Sequence, residues 1–313
     1  MNLPVLVALL IGLIPLAATA ESAADETRPY ILVLGVAQDA GYPQTNCYRP
    51  HCMRAWQDPA LKRLTSSIAV IDGAQGSKYL FDATPDMREQ LYRLHLEAPD
   101  QSHSLDGVFL THGHMGHYTG LMHFGREAVG AEKIRVFVMP RMRAYLRDNG
   151  PWSQLVTLRN IDLVPIHDGK EVALSENLSV LPLQVPHRDE YTETVGYKII
   201  GPAKSALFIP DIDKWGKWET DIRDLIREVD YALLDGSFFA DGELPGRDMS
   251  EIPHPYVVES IELFAELPEK DKVKIIFIHF NHTNPLLIDG SYAQKQLTSL
   301  GFRFASEGMR LPL

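Results

Sequence analysis

Between Phe109 and Leu121 the chain reads F-L-T-H-G-H-M-G-H-Y-T-G-L, and this stretch constrains the molecule more than any other. Three histidines, His112, His114 and His117, follow directly on the apolar run Gly107-Val108-Phe109-Leu110. A short buried strand that ends in a His-x-His turn aims two imidazoles at one spot. His117 joins them if the chain then enters a helix. Neutral imidazole is the commonest protein ligand for zinc and similar ions. Packing alone gives no reason for three histidines at this spacing after a strand, so the stretch reads as a metal site.

The chain is long and apolar enough, at 313 residues and 45% hydrophobic, to bury a large core. A net charge of -11 argues against a partner bound through a phosphate backbone. No dense Lys/Arg run suggests a nucleic-acid or membrane patch. The expected partner is a small-molecule substrate, and no feature speaks to oligomeric state. Residues 1–20 form an apolar run closed by Ala18-Thr19-Ala20, a small-x-small cleavage pattern. An uncleaved anchor is the alternative, but Pro15 and the short apolar length favour a signal peptide. Export, most simply to a bacterial periplasm, is therefore expected, with no stable membrane anchor after cleavage and 21–313 as a single domain. Cys47 and Cys52, in N-C-Y-R-P-H-C, fit either a local disulfide of an exported protein or a small structural zinc site that includes His51.

Along the chain, β-rich runs are expected at Tyr30–Ala37, Ser67–Asp72, Lys78–Asp82, Leu105–Leu110 and Ile134–Met139. A β-rich half follows: Ile161–Ile166, Val172–Leu174, Leu178–Val185, Thr194–Ile200 and Ala206–Ile209. Tyr231–Asp235 and Lys272–His279 are the last strong strands. Helical spacing is read after Thr84-Pro85, from Tyr118 to Gly125, from Pro140 to Arg147, and over Asp221–Val229, Val257–Leu267 and Tyr292–Leu300. With no repeat or linker, interleaved strands and helices predict one α/β domain. Several strands end in a group able to bind metal: His187 after Leu181–Pro186, Asp211 after Ala206–Pro210, and His279 after Ile275–Ile278, with His282 close behind.

These residues together resemble the metallo-β-lactamase fold superfamily, nearest the branch that holds the coenzyme PQQ biosynthesis protein B and related phosphodiesterase-like hydrolases. The resemblance spans roughly residues 30–300 and includes the early G-V-A-Q-D-A-G-Y-P-Q segment and Asp235-Gly-Ser. It implies a four-layer αββα sandwich with a metal site at the sheet edges. By position, His112, His114 and His187 would hold a first zinc. His117 and His279 would serve a second, with Asp211 bridging and acting as base or water-orienter; Asp213 is a weaker bridge. The family motif is His-x-His-x-Asp-His, and this chain has Gly116 where the Asp belongs. One firmly held zinc is expected, iron and manganese remaining open, with a second metal weak or absent unless His282 substitutes. His254 is a loop residue of the pocket. The functional expectation is an exported metal-dependent hydrolase acting on an ester, phosphodiester or amide. The alternative is a cofactor-handling or metal-binding protein with little hydrolytic activity. Reinstating the ligand by Gly116→Asp would separate the two, since a hydrolase should gain metal and activity and a binder metal alone.

Overall fold

Alternate residues of the first strand, β1 (Tyr30–Gly35), face opposite ways, Ile31 and Val33 into one apolar core and Leu32 and Leu34 into another. The same period of two recurs in β2 (Ser67–Asp72), where Ile68 and Val70 oppose Ala69 and Ile71. It recurs again in β3 (Ser77–Phe81), where Tyr79 and Phe81 oppose Leu80. Strands buried on both faces read as unbroken apolar runs, which is why they stand out in the sequence. The computed structural model describes residues 28–99 and 105–313, so the expected leader over 1–20 lies outside the described residues.

The strands form two seven-stranded sheets. In the first, β14 (Arg310–Pro312), β1, β2 and β3 are antiparallel, and β4 (Gly107–Phe109), β5 (Ile134–Val138) and β6 (Ile161–Pro165) continue in parallel. The second sheet repeats the plan. Antiparallel β7 (Val172–Ala173), β8 (Ser179–Val185), β9 (Thr194–Ile200) and β10 (Ser205–Ile209) lead to parallel β11 (Tyr231–Asp235), β12 (Ile275–Ile278) and β13 (Arg303–Phe304). The sheets bury their inner faces against each other. Phe109 stacks between Phe81 (4.9 Å) and Phe137 (4.2 Å), and Tyr197 of the second sheet meets it edge-on at 5.5 Å.

Helices cover the outer faces. Met87 and Leu94 of α2 (Met87–Glu97), Met142 and Leu146 of α4 (Pro140–Asp148) and Leu155 of α5 (Trp152–Thr157) pack on the first sheet. Ile222 and Ile226 of α6 (Ile222–Glu228), Val257 of α7 (Val257–Leu263) and Leu297 of α9 (Tyr292–Ser299) belong to the core of the second. The result is the four-layer αββα sandwich. Several boundaries differ from the sequence reading. The strand expected over Lys272–His279 is only Ile275–Ile278, Lys272 closing a short helix, α8 (Glu269–Lys272), and the helix expected over Val257–Leu267 ends at Leu263. Helix α2 starts at Met87, with Asp86 at its N-cap, because Thr84 hydrogen-bonds to the Gln90 side chain at 2.7 Å and accepts from Asp86 N. The segment after His117 is not one helix but a single turn, α3 (Met115–Tyr118), followed by a 3-10 stretch, Thr119–Phe124. A further helix, α1 (Pro50–Gln57), carries Cys52.

Candidate metal centre

Strands β1, β3, β4, β8, β10, β11 and β12 all deliver polar side chains at their C-terminal ends. The pairing directions put β1, β3 and β4 parallel within one sheet and β8, β10, β11 and β12 parallel within the other. Ends of parallel strands open a crevice where the connecting chain turns away, the usual place for a site in an α/β sheet. Here they contribute Asp39, Asp82, His112, His114, His117, His187, Asp211, Asp235 and His279.

The loop after β4 is held by hydrogen bonds to its neighbours. Val195 N donates to Thr111 O at 3.0 Å, the Tyr197 hydroxyl donates to Leu110 O, and Thr111 N donates to Asp82 Oδ1 at 2.8 Å. His117 O accepts from Ala83 N, which closes the α3 turn onto the end of β3. The loop thus takes its shape from both sheets.

Two donor sets result. In the first, His112 Nε2 and His114 Nδ1 are 2.8 Å apart, and the His187 ring lies 5.3 Å and 5.1 Å from theirs. In the second, His117 Nε2 and His279 Nε2 lie 2.9 Å and 3.4 Å from Asp211 Oδ2. Asp211 also reaches toward the first set, its Oδ2 3.5 Å from His112 Nε2 and its Oδ1 4.0 Å from His187 Nε2. It therefore faces both sets, the position a bridge between two metals would need.

Asp39 completes the second set, and the sequence reading did not include it. Its Oδ1 stands 3.4 Å from His117 Nε2 and 3.7 Å from His279 Nε2. The only sign in the sequence was an acidic residue in the turn-rich Gln38–Pro43 loop, far in sequence from the histidine cluster.

Each imidazole is oriented through its other nitrogen, as second-layer contacts to metal-binding histidines do. His117 Nδ1 pairs with Asp82 Oδ2 at 2.7 Å, His279 Nδ1 with Ser237 Oγ at 3.0 Å, and His187 Nδ1 with Asp213 Oδ1 at 3.3 Å. Asp213 also takes Lys217 at 2.8 Å, so it backs His187 and does not bridge. His112 Nδ1 meets Thr111 Oγ1 at 3.0 Å, and His114 Nε2 meets Glu190 at 2.9 Å.

The electrostatics favour a cation. Burial and the neighbouring His117 hold His112 well below the usual imidazole range, leaving it neutral and ready to donate a lone pair. Burial pushes Asp211 toward neutrality, but the imidazoles of His279 and His117 outweigh it and keep the carboxyl well below its ordinary value. His117 shows the same contest in reverse: burial lowers it, and the carboxylates of Asp82, Asp211 and Asp39 lift it well above an ordinary imidazole.

Buried donors without a partner are the plainest sign of fit. Among the described residues, His117 Nε2, His187 Nε2, His279 Nε2 and Asp211 Oδ1 are buried with no hydrogen-bond partner. Four orphaned atoms at one spot would each cost on the order of 1–3 kcal/mol if nothing satisfied them. The atoms of His112, His114 and His187 lie within 4.8 Å of one another, as do those of Asp39, His117, Asp211 and His279. A set of three imidazole nitrogens suits zinc.

Of the other expected site residues, His282, Cys47 and Cys52 lie away from this centre and His254 lies within it. His282 is not at this centre; the chain turns at His279 (φ 68°) and Phe280 pairs with Ala37, which carries His282 to the His51 ring, 5.6 Å away. Cys47 and Cys52 form a disulfide, with His51 Nε2 3.5 Å from Cys47 Sγ. The four donors of Cys47, His51, Cys52 and His282 lie within 4.8 Å. Disulfide and zinc exclude each other there, because the metal needs thiolates. His254 is buried at the centre, its Nδ1 2.8 Å from Asp235 Oδ2 and 3.4 Å from Asp211 Oδ1. Burial depresses it, but the Asp235 carboxylate more than compensates and raises it to about 9.

Gly116 has a steric explanation. A Cβ built on it would stand 2.6 Å from both Cα and Oδ1 of Asp39. Gly116→Asp in the unaltered chain therefore meets Asp39 instead of simply restoring a ligand, which corrects the outcome expected from the motif alone.

A family model described as the beta-lactamase superfamily domain matches residues 77–280. The coenzyme PQQ synthesis protein B of Methylobacterium nodulans is 29% identical over 308 residues, covering 90% of this chain and 99% of that protein. Its counterpart from Methylobacterium sp. strain 4-46 is 26% identical over 90% of this chain and 99% of its own. Among solved structures, Zn(2+)-bound PqqB from Methylobacterium extorquens superposes with a TM-score of 0.77 at 25% identity, covering 91% of this chain and 100% of that one. A diphosphatase of the PhnP family gives a TM-score of 0.63 at 24% identity over 91% of this chain and 99% of its own, a likeness of fold.

Proposed function

The chain belongs to the beta-lactamase superfamily, and from that premise we propose that it is a metal-dependent hydrolase of an ester, phosphodiester or amide. The observation that carries this is the convergence of the buried nitrogens of His117, His187 and His279 on the carboxylate of Asp211, 2.9, 4.0 and 3.4 Å away, in no case as a hydrogen bond. His112, His114 and His187 would hold one metal, and His117, Asp211 and His279 belong to the second set. Zinc is the expected ion, with iron or manganese as alternatives. A metal bound there supplies Lewis acidity and makes water acidic enough to act as a nucleophile near pH 7.

The chain's own groups do the rest. Asp211 faces both donor sets and orients the attacking water through its carboxylate. His254, oriented through Nδ1 by Asp235, carries a proton at neutral pH and gives it to the leaving group from its other nitrogen. Arg188, 3.5 Å from His114 and ion-paired with Glu190 at 3.8 Å, is a cation at the rim that an anionic substrate would reach by displacing Glu190. That favours phosphodiesters as the first substrates to test.

The test compares bis(p-nitrophenyl) phosphate, a carboxylic ester and an amide with metal-loaded wild type and with His112→Ala/His114→Ala. Hydrolysis of one class that the double substitution abolishes supports the proposal. A loaded, folded protein inert to all three sinks it and favours the second reading, a cofactor-handling protein. That reading draws on full-length similarity to the PQQ synthesis proteins.

Export is proposed as well. Its support is the apolar run of residues 1–20 with its small-x-small end, and a disulfide at Cys47–Cys52 that suits an oxidising compartment.

A further inference from the structure

The motif position that should carry a carboxylate is Gly116, yet a carboxylate stands at that place. Asp39 comes from the loop after β1, and its Cα and Oδ1 occupy the space a side chain on Gly116 would enter, each 2.6 Å from the ideal Cβ. Its ion-pair partners among the described residues are two imidazoles of the second donor set, His117 and His279. The ligand-side nitrogens of both are buried and have no hydrogen-bond partner.

The loop is locked in this position by the segment that carries His279. Ala37 bridges to Phe280, Phe280 N donates to Val36 O at 2.7 Å, and Gln38 N donates to Phe280 O at 2.8 Å. Asn281 Nδ2 donates to Gln38 Oε1 at 2.6 Å. Asp39 itself has φ 30°, close to the left-handed region, and Gly41 two residues later has φ 75°. The turn these residues make points the carboxylate back over α3.

We infer that Asp39 has taken over the role of the missing motif carboxylate, so that the second metal position is completed by Asp39, His117, Asp211 and His279. The glycine and the aspartate are one exchange: the ligand moved from the helix turn to the β1 loop, and position 116 lost its side chain to admit it. This rests on the metal-hydrolase reading, and it replaces the expectation of a weak or absent second metal.

The experiment counts zinc per folded chain by elemental analysis after dialysis against buffered zinc, with melting in chelator as a check on folding. Wild type should hold two equivalents at this centre. Asp39→Asn, which keeps the shape and removes the charge, should lose the second equivalent or weaken it at least tenfold, with its melting temperature in chelator unchanged. Gly116→Asp alone should add no metal, because it meets Asp39. Asp39→Gly/Gly116→Asp should recover the second equivalent. Two equivalents retained at unchanged affinity in Asp39→Asn would overturn the inference, as would a folded double variant that stays at one. A wild type with one equivalent, lost in His112→Ala/His114→Ala and indifferent to Asp39→Asn, refutes the Asp39 assignment and leaves the first site standing. A wild type with no histidine-dependent metal refutes the underlying reading too.

Discussion

His254 and Asp82 touch the centre in different ways, and their substitution should separate metal binding from proton transfer. Asp82 is fully buried beneath His117 and also takes the backbone and hydroxyl of Thr111. Losing a carboxylate behind a metal-binding imidazole costs about 10–100-fold in metal affinity. Asp82→Asn should therefore weaken the second equivalent by that factor, read by competition with a chelating dye; unchanged affinity would remove Asp82 from the account. His254→Gln should leave metal content intact and slow turnover about 10²–10⁴-fold. The loss should be steep for a substrate with a poor leaving group and slight for one that leaves as nitrophenolate. An equal loss for both would show that His254 does not protonate the leaving group. His112, His187 and His279 were legible because each stands at the end of an apolar strand, and His114 and His117 by their spacing after His112. Asp39 was not, because its partners are brought to it by pairing of Ala37 with Phe280, a contact between distant parts of the chain.

The turn after β4 is the element on which the site depends, and its geometry is steric as much as polar. Gly120 N donates to Ala83 O at 2.9 Å, and a Cβ at Gly120 would come 2.2 Å from Thr84 O. No rotamer relieves a clash with backbone. Gly120→Ala should destabilise the fold by about 1–3 kcal/mol, as overpacking does, and loosen the approach of His117 to the centre. Thermal melting and metal retention should fall together; an unshifted melt would mean the turn is more yielding than drawn. Phe109→Ala, which empties the aromatic stack between the sheets, should cost about 3–5 kcal/mol. Central strands were readable because burial on both faces makes them continuous apolar runs. The short strands β13 and β14 were not, since two or three residues carry no periodicity. Helix α1 starts at Pro50, inside the loop whose cysteines drew the eye to cross-linking.

At the scale of the molecule, two sheets built on the same plan meet so that their parallel strands end at one crevice, and neither sheet alone holds a complete donor set. His112 and His114 come from the first and His187 from the second. Asp39, Asp82 and His117 come from the first, Asp211 and His279 from the second. The Cys47–Cys52 staple stands apart from this centre, and its redox state tests the proposed export. Protein recovered from an oxidising compartment should show no titratable thiol when denatured, whereas a zinc-bound staple would show two thiols and a metal equivalent that survives His112→Ala/His114→Ala. The central claim, that the crevice is a hydrolytic metal centre, is tested most directly by adding zinc, manganese or ferrous ion stepwise to chelator-stripped protein while following hydrolysis of bis(p-nitrophenyl) phosphate. No turnover is expected without metal, and with it a rate that climbs and levels off when both donor sets are filled. A stripped protein that hydrolyses as fast as the loaded one, or a loaded and folded one that does not hydrolyse at all, would contradict it.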